Sequence, residues 1–254
     1  MTTERPGPNE GMLAEMVPIE GHNGDTIYSY LARPLGPGPY PGVVVIMEVF
    51  GLLEHIKEIT RKMASHGYNA IAPDLYHREG PGDPEVVAAA VRETGGVPDD
   101  RCIGDLEGAV AYLRSLSTSN GKVGMHGYCS GGRQTYLAAC NIPSLDAAVV
   151  CYGGGVVAAP DQLTPRRPVS VVDMTPDLAC PLLGLFGVED RNPSPEHVAR
   201  MDEDLKKHGK TYEFHTYEAA GHGFFADYRP SYRQAAAVDG WNRLFAWYEK
   251  YLGT

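Results

Sequence analysis

The sequence is poor in cysteine and in positive charge, and it has no long apolar run. Its five cysteines are scattered without a Cys-x-x-Cys pair, so neither a structural zinc site nor a disulfide framework is expected. The 22 basic residues are outnumbered by 32 acidic residues, which gives a formal net charge of −10. Nucleic acids and anionic membranes attract basic surfaces, so neither is an expected partner.

Signals for export and for membrane insertion are also missing. Residues 1–8 lack the apolar core of a secretion signal. No apolar stretch approaches the length that crosses a bilayer. We therefore predict a cytoplasmic protein, either a monomer or a small homo-oligomer, whose partner is a small molecule.

The composition that is present is typical of a folded enzyme. Hydrophobic residues make up 43% and charged residues 21% of the 254 residues, which provides a sizeable core and argues against disorder. Alternating apolar and polar residues predict a β-hairpin at 13–19 and 26–32. Buried strands and helices then alternate to the C-terminus. This order predicts an α/β fold, one domain over 1–254 with a mostly parallel central sheet and helices on both faces.

The predicted elements have recognisable ends. Gly67 is suited to the C-cap of the first helix, and Asp99 or Asp100 to the N-cap of the longest central helix. The irregular, proline-containing segment 153–179 is long enough to form a lid over a cleft.

Predicted strands cover 42–47, 69–72, 122–126, 147–152, 182–187 and 212–217. Predicted helices cover 54–66, a short part of 79–96, 99–116, 133–139, 195–208 and 235–251.

The most specific motif is Gly127-Tyr128-Cys129-Ser130-Gly131, which lies between a predicted strand and a predicted helix. It has the form of a nucleophile elbow, with cysteine where serine is usual. The glycines leave room for the tight turn, and the helix N-terminus favours thiolate over thiol. The alternative interpretation is a glycine-rich turn that contains an ordinary buried cysteine.

A thiol nucleophile needs a base and an acid, which in this architecture follow it along the chain in the order acid, then base. Asp190 follows a predicted strand and is the candidate acid, with Glu189 as its neighbouring rival and a turn aspartate as the alternative. His222 stands between glycines after the last strand and is the candidate base, although a surface-loop histidine is the alternative. His126 lies within the elbow strand and is interpreted as a buried structural residue.

The three candidate residues are Cys129 in Gly-Tyr-Cys-Ser-Gly-Gly, Asp190, and His222 in Ala-Gly-His-Gly-Phe. Together they resemble the triad of the dienelactone hydrolases (carboxymethylenebutenolidases) of the α/β-hydrolase superfamily. The resemblance also covers Glu-Val-Phe-Gly at 48–51 and Pro-Asp-Leu-Tyr-His-Arg at 73–78, and it extends from about Val17 to the C-terminus. It implies an α/β-hydrolase fold without metal or cofactor. It also implies hydrolysis of an ester or enol-lactone through an acyl-thioester on the cysteine.

The resemblance gives further residues a role in the chemistry. It implies that Glu48 holds the thiol neutral and turned away from His222 until substrate binds, whereas a salt-bridged surface glutamate is the alternative. The backbone N–H groups of Val49 and Ser130 are the expected oxyanion donors, one after the early strand and one after the nucleophile.

Substrate recognition is where the chain departs from the family pattern. The resemblance assigns Arg78 to a substrate carboxylate, for which a planar guanidinium is well suited, and a solvated arginine is the alternative. A second family arginine, four residues after the histidine, is replaced by Ala226 and followed by Asp227. Arg229 is near enough in sequence to compensate. Phe50 and Tyr128 complete the expected substrate-binding set. Segment 153–179, which carries Arg166 and Arg167, also differs from the family pattern and is expected to reshape the pocket.

Two other functions stay open at this point. Ala226 favours a general thiol esterase, thioesterase or acyl transferase that acts on uncharged substrates. A non-catalytic binding protein that retains the scaffold is the second alternative, against which the complete set of Cys129, Asp190, His222 and Glu48 argues.

Overall fold

The computed structural model describes residues 11–253, and its eight strands form one sheet in the order β1-β2-β4-β3-β5-β6-β7-β8. Residue contacts divide the chain into two compact units that meet along the sequence at Met125 and His126, with Leu252 and Gly253 in the first unit. The strands are β1 (Met12–Glu20), β2 (Thr26–Pro34), β3 (Tyr40–Ile46), β4 (Asn69–Pro73), β5 (Ser119–Tyr128), β6 (Ala147–Cys151), β7 (Leu182–Gly187) and β8 (Tyr212–Tyr217).

Six α-helices accompany these strands in the described residues. Four short 3-10 turns, at 22–24, 77–79, 160–162 and 171–177, lie in the connections. The helices are α1 (Glu54–Ser65), α2 (Pro84–Glu93), α3 (Asp99–Ser115), α4 (Ser130–Asn141), α5 (Pro195–Lys207) and α6 (Gln234–Leu252).

The first unit begins with the predicted hairpin. β1 and β2 pair antiparallel from Met12↔Pro34 to Glu20↔Thr26, and β2 pairs antiparallel with β4. β3 pairs parallel with β4 and is buried from its second residue onward, as expected for a strand with both faces covered. α1 and α3 pack against these strands.

The second unit contains a run of parallel strands. β6 pairs with β7 and β7 pairs with β8, both parallel, while α4 packs on β6. Because parallel strands end at the same edge, the loops that follow β6, β7 and β8 share one edge of the sheet, where ligands of such sheets bind. The predicted α/β fold with a mostly parallel sheet is confirmed.

The start of α3 and segment 153–179 were both singled out by the sequence. The N-cap of α3 is Pro98, so the predictions of Asp99 or Asp100 are wrong; both aspartates lie in the first turn, where negative charge opposes the helix dipole favourably. Segment 153–179 is held by hydrogen bonds within itself and to α4, among them Val172 N to Val156 O at 3.0 Å and Ala179 N to Ala139 O at 3.0 Å. Within residues 11–253, no helix has both the length and the apolar character that a bilayer crossing requires.

Candidate active site

Cys129 occupies a strained turn between β5 and α4. Its backbone has φ 57° and ψ −118°, a left-handed conformation that costs a non-glycine residue about 1–3 kcal/mol. The Cys129 N–H donates to the carbonyl of Cys151 at 3.2 Å, which ties the turn to the end of β6. A Cβ on Gly132 would lie 2.7 Å from the Cys151 oxygen and 2.7 Å from Gly153 Cα. The second glycine after the cysteine is therefore required for α4 to approach β6.

The start of α4 provides hydrogen-bond donors beside the sulfur. The N–H groups of Gly132 and Arg133 donate to the Cys129 carbonyl at 3.0 and 3.3 Å. Ser130 is the first residue of the helix, and the first N–H groups of a helix have no acceptor within it. Cys129 itself is partly exposed. A carbonyl group that approaches this sulfur would meet the positive end of the helix dipole.

Asp190 lies in the turn after β7 and is buried. Its Oδ2 is 2.8 Å from His222 Nδ1, and its Oδ1 accepts the N–H of Asn192 at 2.9 Å. The neighbouring Glu189 is exposed, and its backbone N–H donates to the Ala220 carbonyl at 2.9 Å. The turn after β7 is thus joined to the loop that carries His222.

His222 links the carboxylate to the sulfur, because its side chain hydrogen-bonds with both Asp190 and Cys129. Burial alone would lower the pKa of the imidazole, but these two hydrogen bonds raise it to about 10. The ring is therefore cationic at neutral pH in this arrangement. The expectation of a thiol turned away from the histidine is corrected, since the sulfur already contacts the ring.

Tyr152 is a site residue that sequence reasoning missed. It follows β6, has φ 38°, and donates its backbone N–H to the Leu185 carbonyl at 2.8 Å. Its ring meets the His222 ring edge to face, with centroids 5.1 Å apart. The available signal was its position directly after a buried strand, which it shares with Asp190.

The turn after β3 contains the expected glutamate. Glu48 is buried, with 3% of its surface exposed, and its carbonyl accepts the Gly51 N–H at 3.1 Å. The carbonyl of Val49 accepts the Tyr76 hydroxyl at 3.0 Å. Phe50 is 38% exposed. The backbone of this turn is fixed, and the chemical roles of its residues stay predictions.

The expectation that Tyr128 contacts a substrate is corrected. Tyr128 is fully buried, and its ring packs against His126, Tyr152 and Phe225. It is therefore a core residue beneath the elbow. His126 is likewise buried, with Nδ1 3.0 Å from the Tyr248 hydroxyl, and burial lowers its pKa to about 3. His126 is thus the neutral structural residue that the sequence predicted.

Arg78 is held in an ion-pair cluster. Its Nη1 and Nη2 donate to the two carboxylate oxygens of Asp105 at 2.8 and 2.9 Å, and its Nε donates to Asp25 at 2.7 Å. The hydrogen bonds to Asp105 are the main cause of a raised pKa for Arg78. Asp105 is fully buried, so a substrate carboxylate would have to displace a buried charged partner. This arrangement argues against the carboxylate-binding role expected for Arg78.

Arg229 lies beside the candidate base. Its Nη1 would be 3.8 Å from a Cβ on Gly223, the residue after His222. Its guanidinium stacks over the Tyr228 ring at 4.9 Å and donates to the Tyr228 hydroxyl at 2.5 Å. Ala226 is buried. Arg229 is therefore placed near the triad, and its contact with a substrate stays a prediction.

Comparison with known proteins gives a consistent result. Residues 27–252 match a family model described as the dienelactone hydrolase family. A Methylorubrum extorquens protein named "Putative carboxymethylenebutenolidase" is 39% identical over 247 residues, which cover 95% of this chain and 82% of that protein. An Escherichia coli K12 protein of the same name is 39% identical over 256 residues, covering 97% and 90% respectively.

A solved structure agrees with these sequence relationships. The crystal structure titled "Putative Dienelactone Hydrolase", from Klebsiella pneumoniae, superposes with a TM-score of 0.87 at 35% identity. The match covers 95% of this chain and 100% of that one. Among the described residues, no group of three or more His, Cys, Asp or Glu side chains could hold a metal ion.

Proposed function

The chain belongs to the dienelactone hydrolase family, whose members are hydrolases that act on ester and lactone bonds. From this premise we propose that Cys129, His222 and Asp190 form a catalytic triad that works through an acyl-thioester. The observation that carries the proposal is the hydrogen-bonded series from Cys129 through His222 to Asp190. All three residues lie in the same unit of the fold. Nucleophile, base and orienting acid therefore meet the geometric requirement of covalent catalysis.

The proposed reaction starts with the proton of the Cys129–His222 pair on the imidazole, because the pKa of His222 is raised to about 10. Asp190 accepts a hydrogen bond from Nδ1 of His222, so Nε2 holds the proton that is later given to the leaving group. The thiolate then attacks the carbonyl carbon, which forms a carbon–sulfur bond and moves the π electrons onto the oxygen. The backbone N–H group of Ser130 is proposed to receive that oxyanion, and the matching role of Val49 stays a prediction. Each such donor is worth about 3–4 kcal/mol in the barrier.

Release of the products completes the cycle. The carbon–oxygen bond breaks, and the leaving alkoxide or enolate takes the proton from His222. Water, deprotonated by His222, then attacks the thioester carbon, and the carbon–sulfur bond breaks as the acid leaves. His222 keeps the proton that it took from water, which restores the starting state of the Cys129–His222 pair. No further group is needed to balance the reaction.

Kinetics on a chromogenic ester test this proposal. Replacement of Cys129 by Ala is expected to reduce kcat for p-nitrophenyl butyrate by about a thousandfold or more, because loss of a nucleophile removes the covalent route. Cys102→Ala provides a matched control, since Cys102 is a buried cysteine outside any disulfide and belongs to the other unit. Turnover that survives in Cys129→Ala, or that is lost equally in both variants, would refute the triad.

A second candidate function is favoured by two observations. The arginine assigned to the substrate carboxylate is bound by Asp105 and Asp25, and Ala226 replaces the second one. Both facts favour a thiol esterase, thioesterase or acyl transferase that takes uncharged substrates. A substrate with a carboxylate would need another cationic partner.

We also propose a cytoplasmic location. None of the five cysteines, all of which lie within residues 11–253, is in a disulfide, as expected for a reducing compartment. The single-domain organisation and the oligomeric state also stay predictions.

A further inference from the structure

A cavity of about 380 Å³ lies within the second unit, between the segment after β6 and the turn after β7. Three arginines line it, Arg133, Arg167 and Arg191. Among the described residues, no aspartate or glutamate contributes to its lining. This concentration of positive charge runs against the net charge of −10 of the whole chain.

The three arginines come from separate and ordered parts of the unit. Arg133 is in the first turn of α4, is 5% exposed, and donates from Nε to the Gly155 carbonyl at 3.2 Å. Arg167 closes a tight turn in which its N–H and carbonyl pair with the carbonyl and N–H of Thr164 at 3.0 and 3.1 Å. Arg191 follows the buried Asp190. The cavity is therefore built from anchored backbone on all three sides.

The cavity adjoins the candidate triad. The N–H of Arg133 donates to the Cys129 carbonyl at 3.3 Å. Asn192, which also lines the cavity, donates its N–H to Asp190 Oδ1 at 2.9 Å and accepts the Gly155 N–H at 3.1 Å. One wall of the cavity is thus the same turn that orients the acid. The cavity therefore shares hydrogen-bonded backbone with both the nucleophile and the acid.

The chemistry of the lining indicates the class of ligand. Three guanidinium groups give the lining a positive character that attracts an anion. Their planar donors are matched to carboxylate or phosphate oxygens. Val157, Leu163 and Val169 add apolar surface, which suits the hydrocarbon part of an organic acid. The volume is within the range of small-molecule sites.

We propose that this cavity binds the carboxylate-bearing part of the ester or lactone substrate, in place of the arginine pair that the family pattern assigns to that task. The inference rests on the proposed function, since it assigns the cavity to the substrate of that reaction. It accounts for two facts together, namely that Arg78 is engaged by Asp105 and that Ala226 replaces an arginine.

Two esters that differ in charge test the proposal. The quantity measured is the ratio of kcat/KM for mono-p-nitrophenyl glutarate to kcat/KM for p-nitrophenyl butyrate. Arg167→Gln and Arg191→Gln are each expected to lower this ratio about tenfold, the usual effect of losing one charge-assisted hydrogen bond. Arg166→Gln is the matched control, because Arg166 neighbours Arg167 but does not line the cavity; its ratio is expected to equal that of the unmodified enzyme.

Direct binding separates failure of the cavity from failure of the hydrolase. Glutarate is titrated into the Cys129→Ala protein by calorimetry, with and without Arg191→Gln, and inorganic phosphate is added as a competitor. Binding that weakens about tenfold with Arg191→Gln and resists phosphate supports the proposal. Stronger binding of phosphate than of glutarate would overturn the assignment to a carboxylate.

The remaining outcomes are also decisive. If both esters are hydrolysed in a Cys129-dependent way but the ratio is the same in all variants, the cavity proposal is overturned and the proposed function stands. If neither ester is hydrolysed, the proposed function is refuted. The assignment of the cavity to a substrate is then refuted as well, even if glutarate binds there.

Discussion

At the scale of single residues, His222 determines the electrostatics of the site. It hydrogen-bonds with a buried carboxylate on one side and with a thiol on the other. Burial opposes its charge, but these two contacts raise its pKa to about 10. The proton therefore stays on the imidazole throughout the neutral range. The Cys129 sulfur therefore lies next to a cation.

The rate at which iodoacetamide alkylates Cys129 reports the positive charge on His222. Because His222 loses its charge only as the pH rises through about 10, we predict that Cys129 reacts readily from pH 6 to 8. Replacement of His222 by Gln removes the cation and should slow the reaction at pH 6 about tenfold or more. Mass spectrometry of the Cys129 peptide measures the rate. Slow reaction in the unmodified protein, unchanged by His222→Gln, would instead favour a thiol held neutral by Glu48.

Tyr152 is a positioning residue for His222. Its ring contacts the imidazole at 5.1 Å between centroids, and it sits in a left-handed backbone conformation with φ 38°. We predict that Tyr152→Ala lowers kcat about tenfold with little change in KM, because the imidazole loses packing that fixes its orientation. Tyr152→Phe keeps the ring and should restore kcat. Equal losses in both variants would show that orientation through the ring is not its role.

At the scale of elements, the cluster of Arg78, Asp105 and Asp25 joins three parts of the first unit. Asp105 lies on α3, Asp25 precedes β2, and Arg78 belongs to the short turn after β4. The Asp105 side chain is 0% exposed. Removal of one partner from a buried ion pair leaves a charge without compensation. This cluster is therefore expected to stabilise the fold rather than to bind a substrate.

Urea unfolding distinguishes the two roles of Arg78. We predict that Arg78→Gln lowers the free energy of unfolding by about 3 kcal/mol, since it leaves Asp105 buried and unpaired. Arg61→Gln is the control, because its pair with Glu54 is exposed and should contribute about 1 kcal/mol or less. A raised KM for mono-p-nitrophenyl glutarate in Arg78→Gln, without loss of stability, would return Arg78 to the substrate site.

At the scale of the whole molecule, the features that could be predicted from the sequence are those encoded by adjacent residues or by the order of strands and helices along the chain. The elbow around Cys129 is encoded by adjacent residues, and parallel strands that end at one edge bring Asp190 and His222 toward it. The engagement of Arg78 depends on Asp105, 27 residues away on another element, and no local pattern marks such a pair. Tyr128 illustrates a further limit, because its burial depends on rings from Tyr152 and Phe225.

The arginine-lined cavity was equally hidden from the sequence. In the sequence, Arg167 belongs to an irregular loop. Arg133 and Arg191 follow Cys129 and Asp190, whose motifs have a clearer chemical meaning. Their meeting depends on the way 153–179 folds back on itself through Ala158 N to Ser170 Oγ at 3.0 Å. Hydrogen bonds of this kind have no periodic signature in the sequence.

Trapping of the acyl-enzyme tests the central claim most directly. The protein is mixed with p-nitrophenyl butyrate, quenched in acid within the first turnover, digested and examined by mass spectrometry. The account predicts a butyryl group on the peptide that contains Cys129, which hydroxylamine removes and which His222→Gln accumulates more slowly. Hydrolysis of the ester with no acyl group on Cys129, or with the acyl group on another residue, would contradict it.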